Sequence, residues 1–452
     1  MNTPNLNIQR FDTRHDNVSV VLQRLRQQLS PRGDVVSEAG RKKTMEVFGA
    51  PLTPAEVVQR ICQDVREQGL AALLNYTQRL DHAAVDAASL SVSEHDLRAA
   101  HDNADPEFLA TIRRIRRNIV EFQTAILHQD VVVQRPPNVT LRQRYTPLQR
   151  AGLCVPGGAA AYPSTVLMTA VPAQVAGVQQ LAVVAPPTNF GANNPDILAV
   201  CYELGIHEVY RVGGAQAVAA LAYGVDGMPK VDKIVGPGNL FVALAKKQVY
   251  GEVDIDSIAG PSEVVVIADD STRADFAAAD LLAQAEHAPG ASILISWSQD
   301  LVEQTVTQLN AQVQQLSRCQ LTVHSLEAYG ALILCRDEQE ACELTNEIAP
   351  EHLHIATEHA HRLCEKIVNA GATFLGNYSP VALGDYAAGP SHVLPTSGTA
   401  RWASGLSANH FLRSSSVIEY SAEALGEIAA DIGRMAEKEQ LTAHRASVTI
   451  RK

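Results

Sequence analysis

Apolar side chains change their spacing twice along the chain. In "TPAEVVQRICQDVREQGLAALLNYTQRL", residues 53–80, they recur every three or four places, the period of a helix that buries one face. Thr53 stands where an N-cap belongs, and Pro54 at the first helical position, where a missing N–H costs nothing. "DPEFLATIRRIRRNIVEFQTAIL" repeats the pattern, with Arg113, Arg114, Arg116 and Arg117 on what reads as a solvated face. Residues 1 to about 128 therefore predict helices. From "VVVQ" at 131 the texture turns to short β-rich runs alternating with helical ones. Strands are expected at 181–187, 208–214, 232–238, 263–269, 292–297, 329–335, 353–356 and 372–376. Helices are expected at 194–205, 215–224, 239–251, 274–288, about 299–316, 337–348 and 359–371. Beyond 376 come loops rich in Gly, Pro and Ser, a C-terminal helix at 421–441 and a short tail.

Strands alternating with helices imply βαβ units and a mainly parallel sheet. The pattern restarts near residue 262, so the fold class is α/β with two such units in tandem. In open sheets of this kind, ligands collect outside the carboxyl ends of the strands. Gly-rich turns are expected at such ends: "VPGGAA" (155–160), "VGGAQA" (212–217), "VGPGN" (235–239) and "AGPSE" (259–263). Glycine lets a ligand approach the backbone, and helix N-termini favour phosphate, so the turns point to a nucleotide or polyanion. The dinucleotide fingerprint GxGxxG is absent, and the cofactor is left open by these residues.

Bulk numbers narrow the function classes. The 452 residues allow two or three domains; 46% are hydrophobic and 19% charged, an ordinary globular balance. A net charge of −12 argues against a general nucleic-acid binder and for small-molecule chemistry. The seven cysteines form no CxxC and read as reduced cytosolic thiols. The polar N-terminus has no signal core. The longest apolar stretch is broken by Pro172, Gln174, Gln179 and Gln180, so neither secretion nor a membrane span is expected and a cytoplasmic location is.

Chemistry concentrates in "EIAPEHLHIA", residues 347–356, where Glu351 and His352 follow Pro350. Either this is a polar turn leading from a helix into a strand, or the pair moves protons; strand neighbours point to opposite faces, which leaves both readings open. Metal candidates are dispersed. Gln284 and His287 are three apart on one expected helix; Asp385 lies in "LGDYAAGPSH", which also carries His392; His444 lies in "LTAH" near the end and reads by default as a tail residue. Together they offer oxygen and nitrogen donors suited to zinc or a similar divalent ion, without diagnostic spacing.

Eight blocks, "VPGGAAAYPSTVLM", "VGGAQAVAALAYG", "KVDKIVGPGN", "DSIAGPSEVVVIAD", "LLAQAEH", "NEIAPEHL", "LGDYAAGPSHVLPTSGTAR" and "LTAH", resemble histidinol dehydrogenases in order and spacing from about residue 50 onward. The resemblance implies two incomplete Rossmann-like αβα units with helical extensions at both termini. Residues 1–48 would form an N-terminal extension at the dimer contact. Residues 49–153 with 263–404 would carry substrate and zinc, 154–262 would bind NAD, and 405–452 would be a dimerisation tail. It implies oxidation of L-histidinol through the aldehyde to L-histidine with two NAD, the last step of histidine biosynthesis. One zinc per subunit would sit on Gln284, His287, Asp385 and His444, the last donated across a homodimer. His352 would be the general base and Glu351 the activator of water. Ser262, Gln284, His287, His352, Asp385, His392, Glu439 and His444 would contact substrate, and Gln216 and Asn239 the NAD.

Two departures stand out. Cys154 occupies the place of a tyrosine implicated in NAD contact, and reads as a small buried hydrophobe. Asn409 and His410 replace expected acidic residues, His410 as a surface residue. The alternatives are a related zinc- and NAD-dependent dehydrogenase of another polar alcohol, such as a sulfonated diol; a zinc hydrolase, which would turn over without NAD; and a non-catalytic binding protein.

Overall fold

The structure is a computed structural model describing residues 6–29, 34, 38–158, 160–287 and 289–451. Ala159 in the first Gly-rich turn, Ala288 at the end of an expected helix and parts of the 1–48 extension lie outside the described residues.

Strand β1 (Gln9–Asp12) is followed by helices α1 (Val18–Leu29), α2 (Glu38–Phe48), α3 (Pro54–Gln68), α4 (Leu70–Asp81), α5 (Glu94–Asp102) and α6 (Pro106–Ala125). Helix α3 starts as its sequence requires: the Glu56 N–H donates to Thr53 Oγ1, and the Thr53 N–H donates back to Glu56. A hairpin of β2 (Val131–Arg135) and β3 (Val139–Pro147) precedes the first α/β unit. That unit runs β4 (Arg150–Cys154), α7 (Pro163–Ala176), β5 (Gln180–Ala185), α8 (Pro195–Glu203), β6 (Glu208–Arg211), α9 (Gly214–Tyr223), β7 (Lys233–Val235), α10 (Leu240–Val249) and β8 (Asp254–Ile255). The next runs β9 (Ser262–Ala268), α11 (Ala274–Ala285), β10 (Gly290–Ser296), α12 (Gln299–Val313), α13 (Cys319–Tyr329), β11 (Gly330–Leu334), α14 (Glu338–Ile348), β12 (His352–Ile355), α15 (Ala360–Cys364) and β13 (Ala372–Leu375). Helix α16 (Val381–Tyr386), strand β14 (Leu412–Tyr420), α17 (Ala422–Lys438) and α18 (Thr442–Thr449) end the chain.

Both units are wound alike. The five-stranded sheet has the order β6-β5-β4-β7-β8 and the six-stranded sheet β1-β11-β10-β9-β12-β13, with every pairing parallel. Leaving β1 aside, each follows the order 3-2-1-4-5 of an incomplete Rossmann sheet, with its switch point between β4 and β7 or between β9 and β12. Strand residues alternate between two apolar faces: Ala151, Leu153 and Val183 pack on one side, Cys154, Ala182 and Val184 on the other. Helices on both sides explain the continuous apolar runs.

Packing redraws the expected domain bounds. Residues 49–153, expected to fold with 263–404, also join the five-stranded unit: β4 is its central strand, α3 and α4 pack on the outer side of α9 and α10, α5 on α8 and α6 on α7, while α6 meets residues 387–408 as well. Nor is the N-terminal segment a purely helical extension. Strand β1 pairs with β11, and Val18, Leu22 and Leu25 of α1 pack on the same sheet. The helix expected at 359–371 shortens to α15, and the expected tail beyond 441 is α18. Strand β14 is an addition: it pairs antiparallel with β3 to make a three-stranded sheet, most of whose residues are exposed. Among the described residues no helix is long and apolar enough to cross a membrane.

Candidate active site

Helix α14 ends at Ala349, held in the left-handed region at φ 50°, and Pro350 then turns the chain so that Glu351 leads directly into β12. Both members of the pair are buried, Glu351 at 6% and His352 at 4% exposure. Buried carboxylates need donors. Glu351 Oε2 receives the Ser262 hydroxyl at 2.6 Å and the Glu263 N–H at 3.0 Å. His352 Nδ1 lies 3.3 Å from the Glu263 carbonyl oxygen, which suits the Nδ1–H tautomer, and 3.6 Å from Glu351 Oε2. Its Nε2 lies 3.5 Å from Asp385 Oδ1. Burial alone would push the imidazole down. The charges of Glu351 and Asp385 outweigh it and raise His352 to about 9.

Asp385 is carried by α16, and it gathers histidines. Burial pushes its carboxyl up, but His352, His392 and His287 together hold it below the ordinary value. The His392 Nδ1 meets the Asp385 backbone carbonyl at 3.0 Å, and burial keeps this imidazole below its usual range. Gln284 is buried near the end of α11, its Nε2 without a hydrogen-bond partner. His287 lies in the turn past that helix, which stops at Ala285 short of the expected 288, and is exposed. Thus Ser262, Glu351, His352, Asp385 and His392 come together from β9, the start of β12, α16 and the loop after it, with His287 near enough to act on Asp385 and Gln284 one turn before it on α11. A cavity of about 600 Å³ opens beside them, lined by His352, Phe374, Leu383 and His392, with Phe122 and Ile126 reaching in from α6 on the other unit.

The position of this site departs from expectation. Ser262 and His352 are the first residues of β9 and β12, so the cluster sits at the amino ends of the six-stranded sheet, and the turn 259–263 is there too. The carboxyl-end rule holds only for the five-stranded sheet, where 155–160 follows β4 and 235–239 follows β7, flanking its switch point. The link 256–261 joins the carboxyl end of β8 to the amino end of β9 and spans at most roughly 20 Å, so the two sheets present these ends to each other.

The remaining expected residues lie elsewhere. Gln216 is 1% exposed in α9; its Nε2 donates to Asp81 at 3.1 Å and its Oε1 has no partner. Asn239 is exposed at the start of α10, its Oδ1 accepting the N–H groups of Phe241 and Val242 as an N-cap. Glu439 and His444 are exposed on the C-terminal helices, where α18 packs against α17, and are not brought to the cluster within this chain. Among the described residues, no three His, Cys, Asp or Glu side chains converge as a complete metal cluster. Cys154 is buried at the end of β4, its thiol pushed up to about 12. His410 is half-buried rather than on the surface: its Nδ1 accepts the Ser407 N–H at 3.0 Å, while Asn409 ties the same turn to Ile126 and His128.

The reading of the residues missed His354. It shares a face of β12 with His352, lies 2.5 Å from Asp280 on α11, and contacts the Gly376 carbonyl at 2.9 Å. The signal was present in "HLH", whose alternation puts both rings on one side, and in Asp280 standing one helical turn before Gln284.

The sequence model for histidinol dehydrogenase matches residues 52–452. The chain belongs to the histidinol dehydrogenase family. A histidinol dehydrogenase of Rhodopirellula baltica is 60% identical over 451 residues, 99% of this chain and 98% of that protein. One from Clostridium acetobutylicum is 44% identical over 88% of this chain and 92% of its own length. The crystal structure of the Elizabethkingia anophelis histidinol dehydrogenase superposes with a TM-score of 0.87 at 32% identity, covering 99% of this chain and 98% of that one. Membership makes the chain an oxidoreductase of histidine biosynthesis and the Glu351–His352 cluster its candidate active site.

Proposed function

We propose that the protein oxidises L-histidinol through the aldehyde to L-histidine, reducing two NAD at one site. The observation that carries this reading is the buried Glu351–His352 pair, with Ser262 and Asp385 on either side of it, at the mouth of a substrate-sized cavity. In the first oxidation His352 takes the carbinol hydroxyl proton while hydride leaves for the nicotinamide. In the second, Glu351 takes a proton from the water that adds to the aldehyde. His352 then removes a hydroxyl proton from the hydrate as hydride passes to a second NAD, leaving the carboxylate. Ser262 aims Glu351 through its 2.6 Å hydrogen bond. His392 and Asp385 orient the polar ends of the substrate. The names borne by the relatives do not favour the other polar alcohols.

NAD would lie against the Gly-rich turns at the switch point of the five-stranded sheet, and the unpartnered Gln216 Oε1 and the Asn239 amide suit its hydroxyl and amide groups. Gln284, His287 and Asp385 make a donor set suited to zinc, and they leave room for a fourth ligand, the partner subunit's His444. When bound there, zinc would supply an anchor for the substrate nitrogens and offset the charge of Asp385, which with Glu351 raises His352. A homodimer also suits the C-terminal arm, which exposes Ile418 at 69%, Met435 at 61% and Ile450 at 82%. The test is NADH yield from L-histidinol and NAD, before and after chelation. Two NADH per histidinol, lost on chelation and restored by zinc, is the expected result; no NADH from a folded, zinc-loaded dimer overturns it.

A further inference from the structure

The link between the two sheets contains a buried charge pair that the proposed mechanism does not use. Lys246, two turns into α10 from Asn239, forms an ion pair with Asp256, and their side chains are only 2% and 4% exposed. Both hold the same glycine. The Gly236 N–H donates to Asp256 Oδ2 at 2.7 Å, and Lys246 Nζ donates to the Gly236 carbonyl at 3.0 Å. Asp256 Oδ1 also accepts the Ser257 N–H at 2.6 Å. Gly236 has little freedom of its own: its φ is +109°, and a Cβ there would lie 2.3 Å from the Cys154 carbonyl oxygen. The turn 235–239 is thus clamped from the helix it starts and from the link that leads to Ser262.

A buried ion pair adds little net stability compared with apolar residues of the same size, so stability is a weak reason for this one. We propose that Lys246 and Asp256 are positioning residues for cofactor binding: they hold the 235–239 turn against NAD. This rests on the reading that NAD occupies that turn. The pair touches neither substrate nor the reacting atoms. Its loss should therefore appear in the affinity for NAD and leave the KM for histidinol alone.

The experiment is the double variant Lys246→Met/Asp256→Asn, which leaves no buried charge unpaired. It is compared with wild type in KM for each substrate, in NADH affinity by fluorescence and in melting temperature. The expected result is a rise of about tenfold or more in KM for NAD and in NADH Kd, with KM for histidinol within about twofold and the fold intact. A folded double variant with wild-type NAD and NADH affinity overturns the clamp. Should the double variant not fold, Gly236→Ala decides, since it moves the same turn with the pair intact; unchanged NADH affinity there overturns the proposal as well. Wild type that binds NADH but does not oxidise histidinol sinks the proposed reaction while the NADH comparison still judges the clamp. Wild type that binds no NADH overturns both.

Discussion

In the proposed mechanism Glu351, aimed by Ser262, and His352 divide the proton work at the candidate site in a way that single substitutions can separate. Ser262 donates to Glu351, the group assigned to water. Replacing it with alanine removes a hydrogen bond to a charged acceptor, about 1.5–3 kcal/mol or roughly 10- to 100-fold. The loss should fall mainly on aldehyde oxidation. Supplying histidinaldehyde directly checks this: equal slowing of both half-reactions would deny Ser262 the assigned role. In the proposed mechanism His352 serves both oxidations, so His352→Asn should lower kcat in both by about 10²–10⁴. A single-turnover experiment in which one half-reaction survives unharmed would contradict that assignment. Cys154 marks the opposite case, since its thiol, raised to about 12 inside the sheet, has no nucleophilic or acid–base part at neutral pH.

Between elements, the contact that matters most is β12 against α11. The strand brings His352 to the cavity, and it is joined to the helix that carries Gln284 by His354 and Asp280. Burial pushes His354 down, but the carboxylate of Asp280 and the Gly376 carbonyl raise it above the ordinary histidine value. A group raised on folding contributes stability that is complete below its unfolded pKa and is lost as pH rises through the folded one. Wild type should therefore lose unfolding free energy as pH climbs above about 6.5, the ordinary histidine value, and His354→Gln should flatten that part of the profile. Urea midpoints across that range are the measurement, and identical slopes for the two proteins would show that the pair does not titrate with folding.

On the proposed reading, the whole molecule separates its halves by function. The six-stranded sheet brings the reactive groups together at its amino ends, the five-stranded sheet offers its carboxyl ends, and the cavity between them borrows Phe122 and Ile126 from α6. His444 and Glu439 stand apart on the C-terminal arm. If the arm completes the partner's site, mixing His444→Ala subunits with His352→Asn subunits should create heterodimers with one intact site. Random assortment then restores about a quarter of wild-type activity from two inactive parents. No recovery in verified heterodimers would put His444 in its own subunit's site or outside the chemistry.

Sequence by itself determined the local part of this outcome. The spacing of apolar residues predicted most of the α/β elements, though not α7, α13, β8 or the bounds of the central strand β4, because helix and strand periods are properties of neighbouring residues. Thr53 and Pro54 worked for the same reason. The Glu351–His352 pair was legible as candidate chemistry, and the family's motifs gave it a proposed role. Only tertiary structure decided which sheet residues 54–125 would cover. An amphipathic helix carries a face to bury and no address for it, and here the helices flanking the five-stranded sheet took all four, α3 and α4 on one side and α5 and α6 on the other. It also decided that the cluster gathers at the amino ends of β9 and β12, where Asp385 and Ser262 reach the Glu351–His352 pair from far along the chain. Strand β14 was hidden likewise: its run of serines lacks an apolar face, and pairing with β3 supplies the hydrogen bonds that side-chain pattern cannot announce.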